Sequence, residues 1–397
     1  MVHPTSLASG IEKKPRPLKH HARMSTTTGR PWHIIHSESE IGWGGQEHRI
    51  LAELSGFQRR GCSVALLAPA HSLIAQRAAT AGILVRHWRV EKLLYPLTIA
   101  QTALWFRRVR PDVVNTHSSR DTWLAGIAAR LARVPLVIRT RHIDVSYPNR
   151  WLSRHAYTSL ADHVMTTSEK ISAHFRDFFD LASDRVSTVP TGIDLERFSS
   201  TGEKAELLPS SGGAGPPVVG MVSVLRSWKG HETFLKAARR LRDERFPCRF
   251  VIVGEGGHRA TIEALIAELK LSTDVTLTGH REDVPAVLRS LDALVIASTR
   301  HEGVPQIGLQ ALATRTPVIG SDAGGTPEII RDGETGRVFP AGDAAALARA
   351  IRETLTDKAA SRALAERGRT AVEARHGIES MLDTLDALYR RHLTSTR

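Results

Sequence analysis

A chain of 397 residues with 41% apolar and 24% charged side chains holds material for two to three cored domains of about 100–200 residues each, which excludes a small stapled scaffold, a collagen-like repeat and wholesale disorder. The formal net charge of +13 directs attention to anionic partners. Cys62 and Cys248 stand far apart, outside any Cys-x-x-Cys spacing, so neither a disulfide framework nor a thiolate zinc site is written here, and reduced thiols of a cytosolic protein are expected.

Residues 1–30 are basic and rich in Pro, Ser and Thr, without the apolar core of about 7–15 residues that marks a signal peptide. They are expected to be a disordered basic extension, with Met24 a candidate start. No apolar run approaches the roughly 18 residues that cross a bilayer. The charge excess is +5 over 1–30, +6 over 31–200 and +2 over 201–397. An N-terminal basic face suits an anionic membrane surface or a phosphorylated glycolipid, and an Arg-rich solvated surface accounts for it equally. Nucleic acid is not expected, because no zinc-finger, basic-zipper or RNA-recognition signature is present.

From Trp32 onward, short apolar runs alternate with longer helical patterns, as in βαβ units and parallel sheets. Strands are expected at Trp32–His36, Ser63–Leu67, Ile83–His87, Val113–Thr116, Leu136–Thr140, Val164–Thr167 and Val186–Val189. Helical spacing falls on Gln46–Arg59, Ile99–Arg108, Asp121–Leu131 and Ser168–Phe178, with Ser168 as an N-cap. A Gly/Ser/Pro segment, 199–217, then reads as a linker. A second alternation follows, with strands Val218–Val224, Arg249–Val253, Val275–Thr278, Ala293–Ala297 and Pro317–Gly320. Its helices are Glu232–Arg242, Arg259–Leu269, Val284–Leu291 and Gln306–Ala313. Ala344–Leu355, Ala359–Ala374 and Glu379–His392 are helical with no strand between. Two similar α/β halves place a ligand cleft at the carboxyl ends of the strands.

Three segments carry chemistry. Gly42-Trp-Gly-Gly-Gln-Glu47 follows the first strand and opens a helix, a place where backbone can approach a phosphate. It departs from Gly-x-Gly-x-x-Gly, since Glu47 stands three residues beyond Gly44, and it is no P-loop. A ligand-free tight turn accounts for it equally. In the second half, Arg226 and Lys229-Gly230 leave the first strand just before a helix. There a guanidinium fork and a flexible ammonium can counter about two negative charges on a departing diphosphate; a solvent-facing loop is the alternative. Ser298-Thr-Arg-His-Glu302-Gly-Val-Pro-Gln-Ile-Gly-Leu-Gln310 is a strand exit into a helix that Pro305 starts as first residue. Glu302 can accept from sugar hydroxyls, and Gln310, about two turns further, can bond a ribose diol.

Taken in order, these segments resemble a family 4 glycosyltransferase, a retaining nucleotide-sugar enzyme of the GT-B fold, from about Trp32 to His392. The likeness rests on Gly44-Gly45, Asn115-Thr-His117, Val189-Pro-Thr-Gly-Ile-Asp194, Arg226 with Lys229-Gly230, Val253-Gly-Glu-Gly256, Gly279-His-Arg281, the Glu302 segment, Gly324-Gly325 and Glu328. It implies two Rossmann-like α/β domains facing across a cleft: an acceptor-side domain at 31–198, the linker at 199–217, a nucleotide-sugar domain at 218–375 and a C-terminal helix at 376–397. It implies that Arg226 and Lys229 hold the donor diphosphate with amides of the Gly44-Gly45 turn, Gln306 and Ile307. Glu302 would hold sugar hydroxyls, Arg281 would lie near the base, and His117 would line the sugar from the first domain.

One departure stands out: the family motif has a second Glu where this chain has Gln310, so a charge-assisted contact becomes a neutral one of about half the strength. No Asp-x-Asp triplet occurs, so no metal cofactor is expected. The donor is a nucleotide-diphosphate sugar, and the implied acceptor is an envelope glycan or glycolipid, in lipopolysaccharide or other cell-surface polysaccharide synthesis, met in the cytoplasm or at the inner face of its membrane. A nucleotide-sugar epimerase of the same fold and a non-catalytic sugar-nucleotide binding protein are the alternatives.

Overall fold

A computed structural model describes residues 30–143, 151–208 and 215–394. The extension and the Met24 start therefore fall outside the described residues, as do 209–214 of the expected linker. In chain order the first half runs β1 (His33–Ser37), α1 (Gly45–Arg59), β2 (Ser63–Ala68), α2 (Leu73–Thr80), β3 (Leu84–His87), α3 (Tyr95–Val109) and β4 (Val113–Thr116). It continues α4 (Ser119–Ala132), β5 (Leu136–Arg141), α5 (Trp151–Thr158), β6 (His163–Thr166), α6 (Glu169–Phe179) and β7 (Val186–Thr188). These strands form one parallel sheet of order β3-β2-β1-β4-β5-β6-β7.

The second half runs β8 (Val218–Val222), α7 (His231–Asp243), β9 (Arg249–Val253), α8 (Arg259–Glu268), β10 (Val275–Gly279), α9 (Val284–Ser290) and β11 (Ala293–Ile296). It ends with α10 (Gln306–Ala313), β12 (Val318–Ser321), β13 (Arg337–Phe339), α11 (Ala344–Thr356), α12 (Lys358–Arg375) and α13 (Ile378–Thr394). Its parallel sheet has the order β10-β9-β8-β11-β12-β13. In both sheets the order reverses beside the first strand, which opens a crevice at the carboxyl ends. None of the described helices is long and apolar enough to cross a membrane.

Alternate residues of each strand bury against opposite layers. Ile34, Leu66 and Ile138 pack with Ile50, Leu54 and Phe57 of α1, whereas Ile35, Leu67 and Val137 pack with Phe106 of α3 and Leu124 of α4. In the second sheet, Met221 and Phe250 meet Phe234 of α7 and Ile351 of α11, while Val251 and Leu294 meet Leu309 of α10 and Val372 of α12. Each such side chain contributes about 1.5–3 kcal/mol by leaving water.

The last helix returns to the first sheet: Leu382, Leu385 and Leu388 of α13 belong to the core of β1 and α1. Gly56 lets α13 approach, since a Cβ there would lie 2.4 Å from Leu382 Cδ1. Two stretches of chain cross between the halves side by side. The Ile193 amide donates to His376 O at 2.6 Å and the Ile378 amide to Ile193 O at 3.3 Å.

Three elements differ from the sequence reading. β13 is only three residues long, below the length at which alternation is visible, and α2 and α5 have eight each. Residues 199–208 are held on the second half: Arg289 donates to Glu203 O at 2.8 Å, Ser290 to Ala205 O at 2.9 Å, and Leu207 is buried.

Candidate active site

The carboxyl ends of the two sheets meet at several places. The Gln306 side chain donates from Nε2 to Gly45 O at 2.8 Å, so the starts of α10 and α1 face each other. Any Cβ on Gly303 would lie 2.2 Å from His142 O, which puts the Glu302 loop against the end of β5. The Glu328 carboxylate caps α6 of the other half, accepting from Ser168 Oγ at 2.5 Å, Glu169 N at 3.1 Å and Lys170 N at 3.2 Å. Ser168 itself accepts from Ile171 N, the expected N-cap. Arg77 of α2 pairs with Glu282 at 2.6 Å.

On the second side, β8 ends in a turn carrying Arg226 and Lys229. Gly230 follows at φ 76°; a Cβ there would fall 1.8 Å from Ala297 O, so only glycine lets this turn close over β11. Lys229 Nζ donates to Glu302 Oε2 at 2.7 Å, and Ser298 Oγ donates to the same oxygen at 2.5 Å. The structure thus joins the ammonium expected for the diphosphate to the carboxylate expected for the sugar. Arg226 is exposed, its guanidinium 5.1 Å from the Trp228 ring centre. It faces the first half: burial pushes the Glu47 carboxyl up, and among the groups that oppose this is Arg226.

Helix α10 differs in detail from the sequence reading. Pro305 is its N-cap, one residue before the helix. Gly308 and Leu309 already donate to Pro305 O, so Gln306 and Ile307 carry first-turn amides without an intrahelical acceptor. Glu302 lies in the loop, as the sequence reading expects, and half-buried Gln310 stands one turn beyond Gln306. Arg281 is not drawn into this group; its guanidinium forks onto Asp283 at 2.8 and 2.5 Å.

On the first side, the Gly44 amide donates to Glu47 Oε2 at 2.8 Å, so the Glu47 carboxylate caps the start of α1 from within its own first turn. His117, 2% exposed, has both ring nitrogens engaged: Nε2 lies 2.9 Å from His36 Nδ1 and Nδ1 lies 2.9 Å from His142 Nε2. It therefore touches the cleft through His142 and does not offer a ring nitrogen of its own. Burial, aided by Arg49, holds His36 down at about 3; burial and the neighbouring cations and imidazoles hold His117 and His142 well below the usual range. The chain of rings is neutral at pH 7. Beside it, burial and nearby Asp121 push Glu38 up to about 8, although it accepts from Ser39 N, Glu40 N and Gln46 Nε2. Sequence reading missed His36, Glu38 and His142; the available signal was polar residues at the ends of two strands, β1 and β5.

Two parallel sheets facing through their carboxyl ends, with cations at one strand exit and helix starts on both sides, define a GT-B glycosyltransferase. The chain matches Glycosyl transferases group 1 over residues 206–371 and Glycosyltransferase Family 4 over residues 43–197. It belongs to that family and is a glycosyltransferase. It is 29% identical to the lipopolysaccharide core biosynthesis mannosyltransferase LpcC of Rhizobium leguminosarum bv. viciae, over 71% of this chain and 79% of that protein. It is 28% identical to the alpha-D-kanosaminyltransferase of Streptomyces kanamyceticus, over 70% of each. Its fold matches a glycosyltransferase from Rickettsia africae with TM-score 0.81, 19% identity and coverage of 92% of this chain and 99% of that one. Anabaena Alr3699/HepE in complex with UDP-glucose gives TM-score 0.77 at 20% identity, covering 91% and 99%.

Proposed function

We propose that the protein transfers a glycosyl residue, with retention and without a metal, from a nucleotide-diphosphate sugar to a hydroxyl of an envelope glycan or glycolipid. The observation that carries this reading is the Lys229–Glu302 pair beneath the start of α10, opposite the start of α1. A diphosphate entering there meets an ammonium, the nearby Arg226 and two sets of helix-start amides, all of which stabilise charge as the nucleotide leaves. Glu302 then turns to the sugar hydroxyls, while Gln310 meets the ribose as a neutral partner. His117 orders His142 at the first side, and Arg281 lies toward the base, where backbone does the reading. The departing phosphate takes the acceptor proton and the acceptor attacks from the same face, with closed lobes excluding water.

Relatives that act on lipopolysaccharide core, together with the positive first half, support an envelope acceptor on the cytoplasmic side. The test is a thermal-shift screen over UDP-, GDP- and ADP-sugars, where a donor at 100 times its Kd stabilises by about 2.7 kcal/mol, followed by single turnover. Product with unchanged anomeric configuration, formed in the presence of chelator, is expected. Inversion or chelator-sensitive turnover overturns the mechanism, and donor consumption without acceptor would favour an epimerase.

A further inference from the structure

The row of imidazoles at the first side ends, on its inner side, at a buried ion pair that the transfer chemistry leaves unused. His36 stands two residues after Ile34 in β1 and so shares its face, under α1. Arg49 and Glu53, four residues apart on α1, meet it there. Arg49 Nε donates to Glu53 Oε1 at 2.6 Å, and its Nη1 donates to Val189 O at 2.8 Å and Thr191 Oγ1 at 2.9 Å. Glu53 Oε2 receives no hydrogen bond from the described residues, and 3.8 Å from it stands His36 Nε2, likewise without a partner among them. Both side chains are fully buried.

The row has few ways to place its hydrogens. Its rings are neutral at pH 7, so each carries one. His117 Nε2 meets His36 Nδ1, and His117 Nδ1 meets His142 Nε2, each at 2.9 Å. Each contact needs one hydrogen, which forces the same tautomer on all three rings. With every hydrogen on Nε2, His36 points an N–H at Glu53 and His142 keeps a bare Nδ1. With every hydrogen on Nδ1, both ends reverse.

The ion pair distinguishes the two. Arg49 stays charged, and among the described residues the acid it pairs with is Glu53. Burial pushes the Glu53 carboxyl up and Arg49 opposes this; protonating it would strand a guanidinium in a dry layer. At 3.8 Å the contact with His36 is electrostatic rather than a hydrogen bond, and there an ionised oxygen attracts an N–H and repels a ring lone pair. At the other end His142 is half-buried, and its Nδ1 has no partner among the described residues. Its main chain lies against the Glu302 loop, where a Cβ on Gly303 would come 2.2 Å from its O.

We infer that the buried Glu53–Arg49 pair sets the tautomer of the His36–His117–His142 row, so that His142 Nδ1 meets the cleft as a hydrogen-bond acceptor and selects a donor sugar that offers a hydroxyl there. Glu53, Arg49 and His36 are then positioning residues, acting through His117 on the one ring of the row that touches substrate. A hydroxyl can donate to that nitrogen, and a fluorine in its place cannot. The inference rests on the nucleotide-sugar reading of the cleft for its substrate, and on the row alone for its tautomer.

The test reads the rings directly, by long-range proton–nitrogen NMR correlation on the full chain with isotope-labelled histidine, assigned through His36→Asn, His117→Asn and His142→Asn. All three rings are expected to carry hydrogen on Nε2. Glu53→Gln keeps an oxygen for Arg49 and turns an NH2 toward His36, so it should move all three hydrogens to Nδ1. It should also lower kcat/KM about tenfold, the effect of one hydrogen bond. Across a series of deoxyfluoro donors, the native enzyme should disfavour fluorine at one position about tenfold, and Glu53→Gln should not. A merely structural Glu53 would lower the rate without exchanging tautomers or changing that preference. Native rings carrying hydrogen on Nδ1, unchanged tautomers in a folded Glu53→Gln, or a fluorine preference it leaves intact would each overturn the inference. Should that variant not fold, the native spectrum and His142→Phe decide, the latter being expected to lose the fluorine discrimination. The spectra need no donor, so a chain that takes up no nucleotide sugar counts against the transferase reading, while the tautomers still decide the row.

Discussion

The two sides of the cleft solve different problems. The first half buries ionisable groups on its strands and on the helices behind them: His36, Glu38, Glu53, His117, Asp121 and Arg139 are each at most 2% exposed. The second half offers Arg226 and Lys229 on a turn and the open amides of α10. A dry network is rigid and costly to ionise, whereas a half-exposed cation is already charged and hydrated. In the proposed reaction the first half would fix geometry and the second would supply charge to the leaving group.

Removing the charge should hurt most. Arg226→Ala with Lys229→Ala is expected to lower kcat/KM at least about 10³-fold, roughly 4 kcal/mol, read by nucleoside diphosphate release, with the melting temperature of the ligand-free protein little changed. A mutation on the rigid side should do the reverse. Leu382→Ala removes a fully buried side chain and is expected to cost about 2–5 kcal/mol of stability, measured by denaturant unfolding.

Acid sharpens the contrast further. Unfolded imidazoles bind protons near pH 6.5, while His36 stays neutral to about 3. Stability is therefore lost as pH falls below 6.5, by about 1.4 kcal/mol per pH unit for each such ring, and His36→Asn should flatten that slope by one ring. Glu38 has the opposite sign: its folded carboxyl, raised to about 8, loses stability as pH climbs from the ordinary value toward 8, so Glu38→Gln should stabilise the protein at pH 8. Smallest is Glu328→Gln, which weakens the cap on α6. It should raise the donor KM a few-fold, about 1 kcal/mol, and expand the particle in small-angle scattering without donor.

The succession of strands along the chain was legible because most are short apolar runs ended by a turn, whereas their order in each sheet was not read; β13, Arg337–Phe339, went unread. Arg226, Lys229 and Glu302 of the second side could be singled out in sequence because they lie in two local segments. The first side was less legible. His36 lies in β1, and His117 and His142 follow β4 and β5, strands adjacent only in the folded sheet, so their contacts span 81 and 25 positions of chain. The pairing of Lys229 with Glu302 spans 73 and likewise appears only once β8 and β11 are neighbours.

The return of α13 to the first sheet has a consequence for biogenesis. As the ribosome extends the polypeptide, the leading half emerges with a gap beside Phe57 and Ile50, and everything from Val218 to Arg375 is made before the segment that fills it. The trailing half can thus consolidate earlier than the one translated ahead of it, and the molecule is finished where its synthesis began.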